Sequence, residues 1–218
     1  PTLTPTPTPT LTPTPTPTLT PTPTPTPTPI LSNKIIFDRH SGNGSDSEIY
    51  IMNIDGTNVQ QLTNNSGSSN ADYPSISQMK GLIVYRINEW NGSMWIYSIA
   101  TMNYQGQNNN IIYSASTGTT VSEPSISKDG EKIYFTHTFD DNSEIFSINF
   151  DGSNLNNLTN TSTYHEESPK VSPDGSKVLY TSSKEVKPSI YVMNSDGSNH
   201  SRLTSLEYQD ANASWSPD

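Results

Sequence analysis

From residue 34 onward, apolar residues come in runs of about four, rich in β-branched and aromatic side chains and bounded by Gly, Pro, Asn or Asp. One set of runs reads Lys34-Ile35-Ile36-Phe37, Leu82-Ile83-Val84-Tyr85, Lys132-Ile133-Tyr134-Phe135 and Lys177-Val178-Leu179-Tyr180. A second set reads Ile49-Tyr50-Ile51-Met52, Ile96-Tyr97-Ser98-Ile99, Ile145-Phe146-Ser147-Ile148 and Ile190-Tyr191-Val192-Met193. Successive positions are apolar, so a strand built on either set buries side chains on both faces. A sheet with one wet face would alternate apolar with polar residues instead. No stretch sustains a helical period. The pattern predicts an all-β chain of short strands whose sheets are covered on both sides.

The runs recur in step with three other markers. Asp-Gly turns fall at Asp55-Gly56, Asp151-Gly152 and Asp196-Gly197, with a degenerate copy at Gln105-Gly106, giving spacings of 50, 46 and 45 residues. Each intact copy then reaches Leu-Thr, at Leu62-Thr63, Leu158-Thr159 and Leu203-Thr204. A Pro-x-hydrophobic-Ser segment repeats at Pro74–Ser77, Pro124–Ser127 and Pro169–Ser172, and in altered form at Ala213–Ser216. A shared period of 40 to 50 residues with β-type runs is the signature of propeller blades. Each copy supplies four strands: the Pro-anchored segment, the two apolar runs, and a short strand leading into Leu-Thr. The two-residue Asp-Gly loops suit type I′ hairpins, since Gly takes a positive φ without steric cost. Blades stacked around an axis bury both faces of each sheet, which is what the apolar runs require.

The repeats are placed at about 30–77, 78–127, 128–172 and 173–218. The second departs most, with Gln78-Met79-Lys80-Gly81 in place of Ser-Pro-Asp-Gly and an outer hairpin lengthened over Met102 to Asn110. Ile30-Leu31-Ser32 supplies the first copy with no inner strand, while Asp210 to Ser216 is an inner strand with no blade behind it. Those two features together would close a four-bladed ring. The alternative is that the four copies are part of a larger ring.

Residues 1 to 29 contain only Pro, Thr and Leu. Alternating Pro removes every second amide donor and fixes φ, so neither helix nor sheet can form. The stretch is expected to be a polyproline II linker, extending roughly 90 Å at ~3.1 Å per residue. Its Thr hydroxyls suit O-glycosylation in a secreted stalk. The chain opens on Pro and shows no signal peptide, which predicts an upstream domain or anchor beyond it.

Composition narrows the partners. A formal net charge of -10, from 11 Lys+Arg against 21 Asp+Glu, lacks the basic clusters that phosphate binding needs and argues against nucleic acid. It also argues against docking on an anionic membrane surface. No apolar run approaches the ~20 residues of a membrane-spanning helix. The 218 residues hold no Cys, which excludes disulfides and thiolate chemistry.

Residues 30 to 218 resemble the TolB-type, WD40-like family of six-bladed propellers, whose repeat runs Pro-x-Trp-Ser-Pro-Asp-Gly, Lys-Ile-x-Phe, Ile-Tyr-x-Met, Asp-Gly and Leu-Thr. Pro169 to Thr204 matches nearly throughout, and Trp215-Ser216-Pro217-Asp218 opens another copy. The resemblance implies four-stranded antiparallel blades belonging to a six-bladed ring. It also implies interaction through the propeller faces, with no chemistry in the chain.

The candidate chemistry agrees with a binding role. His40, His137, His165 and His200 show no metal-ligand spacing, and there is no Gly-x-Ser-x-Gly elbow or phosphate-cradling Gly-rich loop. Asp72, Glu123, Glu167 and Asp210 each precede a Pro anchor or its counterpart by about two residues. In equivalent loops they would ring one mouth of the central tunnel and meet a cation or a basic peptide, although solvated loop charge is the simpler account. Asp46, Glu48, Asp140, Asp141 and Glu144 offer the oxygen ligands that Ca²⁺ takes, in a spacing that matches no calcium loop. Trp90 and Trp95 offer a sugar-stacking platform or, more plainly, packing between blades. The sequence thus reads as a monomeric, non-catalytic propeller, extracellular or of the cell envelope or periplasm, with no cofactor. Its expected partner is a protein or a cell-surface polymer. A carbohydrate-binding or substrate-presenting module of a larger enzyme is the alternative.

Overall fold

The apolar runs become strands, and the Gly- and Asn-bearing punctuation becomes the turns between them. The computed structural model describes residues 2, 33–40, 46–65 and 67–216, and all regular secondary structure among them is β. The expected Pro-Thr linker and Ile30-Leu31-Ser32 therefore lie outside the described residues, Thr2 apart.

Four antiparallel sheets follow one another in chain order. The first holds β1 (Lys34–His40), β2 (Ser47–Asn53) and β3 (Gln60–Gln61). The second holds β4 (Ser69–Ser77), β5 (Leu82–Trp90), β6 (Trp95–Asn103) and β7 (Asn110–Ser114). The third holds β8 (Thr120–Ile126), β9 (Lys132–Phe139), β10 (Asn142–Asn149) and β11 (Asn156–Asn157). The fourth holds β12 (Glu166–Val171), β13 (Lys177–Ser182), β14 (Ser189–Asn194) and β15 (Ser201–Arg202). Among the described residues the first blade thus has three strands and no Pro-anchored one.

The core is divided between the blades, as two-faced strands demand. Ile49, Ile51 and Leu62 of the first blade pack on Ala71, Ile83, Tyr85 and Met102 of the second. Val84 and Ile99 turn the other way, onto Val121, Ile133 and Phe135 of the third. Tyr134 and Ile145 then meet Val178, Tyr180 and Met193 of the fourth. Neighbouring residues of β5, such as Ile83 and Val84, therefore serve different cores.

The turn glycines sit at the joints between blades, two of them against the Leu of a Leu-Thr marker. A Cβ built on Gly106 would lie 2.7 Å from the Leu62 carbonyl oxygen; on Gly152, 3.1 Å from that of Ile112; on Gly197, 3.1 Å from Leu158 Cδ2. The turn glycine of the second, third and fourth blades is pressed against the outer edge of the blade before it, at Leu62, Ile112 and Leu158 respectively. The turns differ from the type I′ expectation. Gly56 N–H donates to the Asn53 carbonyl at 2.9 Å, so Ile54 and Asp55 are the central residues and the left-handed Gly56 (φ 81°) follows them. Type I′ would need positive φ at both central positions.

The register also relocates the inner half of the second blade's third strand. Leu82 pairs with Asn103 as Lys34 pairs with Asn53 and Lys132 with Asn149. Ile99-Ala100-Thr101-Met102 is then the counterpart of Ile49-Tyr50-Ile51-Met52, three residues beyond the Ile96–Ile99 run. The added length lies in the β5–β6 hairpin, because the turn at Gln105-Gly106 closes with the same two backbone bonds as the turn at Asp55-Gly56.

The C-terminal stretch forms no strand and runs beside the fourth blade. Asp210 N–H donates to the Pro188 carbonyl at 2.9 Å, and Trp215 Nε1 donates to the Lys170 carbonyl at 2.7 Å. Ser214 and Trp215 line a cleft with Ile76, Ile126 and Val171, one from each Pro-anchored strand. The stretch continues the series of inner strands.

Candidate functional site

Each Pro-anchored strand carries the same irregularity. Pairing is interrupted between Asp72 and Ser75, between Ser122 and Ser125, and between Glu167 and Lys170. The residue before each Pro is left-handed: Tyr73 (φ 52°), Glu123 (φ 53°) and Ser168 (φ 59°). Asn212 (φ 57°), ahead of Ala213, repeats the conformation. A non-Gly residue in this region costs about 1–2 kcal/mol. Bulges of this kind bend a strand and re-aim side chains.

This frame separates the four acidic candidates. Asp72 and Glu167 stand just before the left-handed residue, Glu123 is that residue, and Asp210 stands two before Asn212. They do not occupy equivalent positions. Asp72 accepts from Arg86, with Nε to Oδ1 at 2.7 Å and the second terminal nitrogen on Oδ2, in a fork that leaves both side chains largely buried. Burial pushes the Asp72 carboxyl above its ordinary range, and Arg86 opposes that push. Glu123 is drawn into a joint: Ser168 of the fourth blade donates to it through N–H (3.0 Å) and Oγ (2.8 Å). Glu167 is exposed, and Asp210 is half-buried.

What the bulges bring together is a cleft of about 380 Å³ on the axis side. Asp38 and Phe37 of β1 line it, with Tyr73, Glu123, Lys170 and the two prolines Pro74 and Pro124. Tyr73 is 44% exposed, and the Arg86 guanidinium lies 4.7 Å from its ring centroid. The cleft presents an aromatic ring, two carboxylates and one ammonium on strands stitched to each other. Ser75 Oγ accepts from Ile126 N–H at 3.3 Å, and Ser125 Oγ accepts from Val171 N–H at 3.1 Å. Sequence reasoning missed Asp38, Tyr73 and Lys170. Tyr73 was within reach, because it directly precedes the Pro anchor.

This stitched series of four sheets has a known counterpart. A family model for the TolB β-propeller domain matches residues 25–218. The chain belongs to that family. TolB from Acinetobacter baumannii superposes with a TM-score of 0.69 at 21% identity, over 86% of this chain and 45% of that one. A putative TolB from Agrobacterium tumefaciens gives 0.68 at 21% identity, covering 85% and 67%. A puromycin hydrolase S511A mutant gives 0.62 at 14% identity, covering 82% and 32%. At these identities the likeness is one of fold, and this chain spans less than half the length of the Acinetobacter protein. No curated protein matches the sequence.

Within this TolB-type propeller two of the calcium candidates have other duties. Glu48 and Glu144 are buried, and each accepts from the Thr of a Leu-Thr marker, Thr63 and Thr159 respectively. Each also accepts a backbone N–H, from Asn65 (2.5 Å) and Thr161 (2.6 Å). Among the described residues no three His, Asp or Glu converge as a metal site would require. Trp90 and Trp95 are brought together, paired across β5 and β6 with ring centroids 5.8 Å apart, and they stay exposed rather than packing between blades. No helix among the described residues is long and apolar enough to cross a membrane.

Proposed function

We propose that this TolB-type propeller is a non-catalytic scaffold of the cell envelope or periplasm that holds a protein partner at the axial cleft. The observation that carries the reading is the repeated bulge. Three blades each keep an unfavourable left-handed residue ahead of the Pro anchor, at Tyr73, Glu123 and Ser168. Strain retained at equivalent points of a rigid frame is a feature of binding sites. The exposed Tyr73 ring suits an anchoring contact, and Asp38 with Lys170 suits a polar rim. The family's extended propeller faces and the acidic balance of the chain favour a partner with a basic or mixed surface.

A photoreactive phenylalanine analogue at Tyr73, introduced in the producing cells, tests the reading. A discrete protein adduct is expected there and not at Val186, which is 99% exposed and outside the cleft. Lys170→Glu should abolish it. Adducts of equal yield at both positions, or none at Tyr73, would refute the axial cleft as the contact surface.

A further inference from the structure

We infer that the paired indoles of Trp90 and Trp95 form a binding site for pyranose units of a neutral polysaccharide, separate from the axial cleft. Both rings are substantially exposed, 44% for Trp90 and 37% for Trp95. The second blade is packed between β1 and β2 on one side and β8 on the other. Their exposure is therefore not that of a face awaiting a neighbouring blade.

The pair sits on a local extension. β5 and β6 run nine residues each, against seven for β1 and β2, eight for β9 and β10, and six for β13 and β14. Register at the Asn103 end is common to the blades, so the added residues all fall at the opposite tip, where the two Trp pair. The tip is braced. Asn91 Oδ1 accepts from Ser93 N–H and Met94 N–H at 3.0 Å each, Asn91 N–H donates to the Met94 carbonyl at 3.1 Å, and Trp90 N–H donates to the Ser68 carbonyl at 2.8 Å. The backbone that carries the two indoles is thus set before any ligand arrives, which lowers the ordering cost of binding.

Geometry and charge select the ligand. The ring planes meet at 62°, so one indole forms a floor and the other stands beside it as a wall. The apolar C–H face of a pyranose covers an indole, while its hydroxyls need polar neighbours. The tip supplies those in Glu89, Asn91 and Ser93, with Met94 the one other apolar side chain between Glu89 and Trp95. It carries no Lys or Arg between Glu89 and Trp95, and the chain's net charge is -10, so uronate and phosphate polymers are disfavoured.

Tryptophan emission of the whole chain, carrying Trp215→Phe so that only the pair reports, is the test. Cellohexaose, mannohexaose and xylohexaose are the neutral probes, and hexagalacturonate is the anionic one. Saturable quenching by at least one neutral probe is expected. Trp90→Ala, and separately Trp95→Ala, should raise its Kd about tenfold or more, read by displacement or calorimetry. The Trp90→Tyr/Trp95→Tyr double variant should keep most of the affinity, and all variants should melt with the parent. Silence towards every neutral probe up to about 10 mM, equal response to hexagalacturonate, or binding that survives both alanine variants would overturn the assignment. Quenching only by a peptide copying the Pro-Thr repeat would do so too, and would mark the pair as a peptide site.

Discussion

Thr159 makes two bonds that a backbone strand at its place would leave unmade. Its Oγ1 accepts from Ile145 N–H at 3.0 Å and donates to Glu144, whose carboxylate is only 1% exposed. Thr204 repeats the first bond, accepting from Ile190 N–H at 3.1 Å, but Ser189 stands where the glutamate would be. Thr159→Val should therefore cost about 2–4 kcal/mol, because a buried carboxylate loses a donor, and Thr204→Val about 1 kcal/mol. Urea unfolding of the two variants reads the difference, and equal losses would show that Glu144 does not depend on the hydroxyl. Glu166 is a further buried acid, at the inner-strand position held by Ala71 and Val121 in the preceding blades. Burial raises its pKa, partly opposed by hydroxyl donors Thr161 (2.8 Å) and Ser182 (2.9 Å), and Glu144 adds to the rise. The folded chain then holds this proton to higher pH than the unfolded chain. Its contribution to stability falls as pH rises from the ordinary value of 4.5 through the raised one. Glu166→Gln should match or exceed the parent in thermal melts at pH 7 and lose that advantage near pH 4. A variant equally destabilised at both would mean that ionising Glu166 carries no penalty.

At the scale of elements, the hairpin turns act as fasteners between blades. Gly106 (φ 76°) abuts the backbone of Leu62, which cannot give way, whereas Gly56 (φ 81°) has nothing within 4 Å of its would-be Cβ. Alanine at Gly56 should cost only the left-handed penalty of about 1–2 kcal/mol, and alanine at Gly106 a further 1–3 kcal/mol or so from the clash. Thermal unfolding of both variants decides it; similar shifts would show that the joint yields. The same contacts explain what the sequence disclosed. Turn Gly, Leu-Thr and Pro anchor were legible because each is fixed by a recurring local bond or joint. The inner half of the second blade's third strand was not, because Ile96-Tyr97-Ser98-Ile99 mimics the repeat three residues early and strand alternation has no absolute origin. Counting back from Gly106 finds it. The acidic candidates failed as a ring for a related reason: a bulge turns a one-residue offset into a change of face. The exposure of Trp90 and Trp95 was illegible from their own residues, since it depends on how far one hairpin outgrows the others.

For the molecule as a whole, the cores among the described residues lie between successive blades, so stability should be close to a sum of nearest-neighbour terms. The second and third blades have both faces covered by described neighbours: Ile83 and Val84 serve different cores, as do Ile133 and Tyr134. The first blade contributes to one shared core, with Ile35 left 37% exposed on its other face. Native-state hydrogen exchange should therefore show β5, β6, β9 and β10 as the slowest strands, with β1 and β15 faster by about tenfold or more. That ordering bears on function. The axial cleft draws Tyr73 and Glu123 from β4 and β8 of the two protected blades, and Ile36, Phe37 and Asp38 from β1. A partner anchored on Tyr73 would meet a rigid surface, while contacts to Asp38 would adjust on binding. Uniform protection across the four blades would show that the chain opens as one cooperative unit, and the nearest-neighbour account would then be wrong.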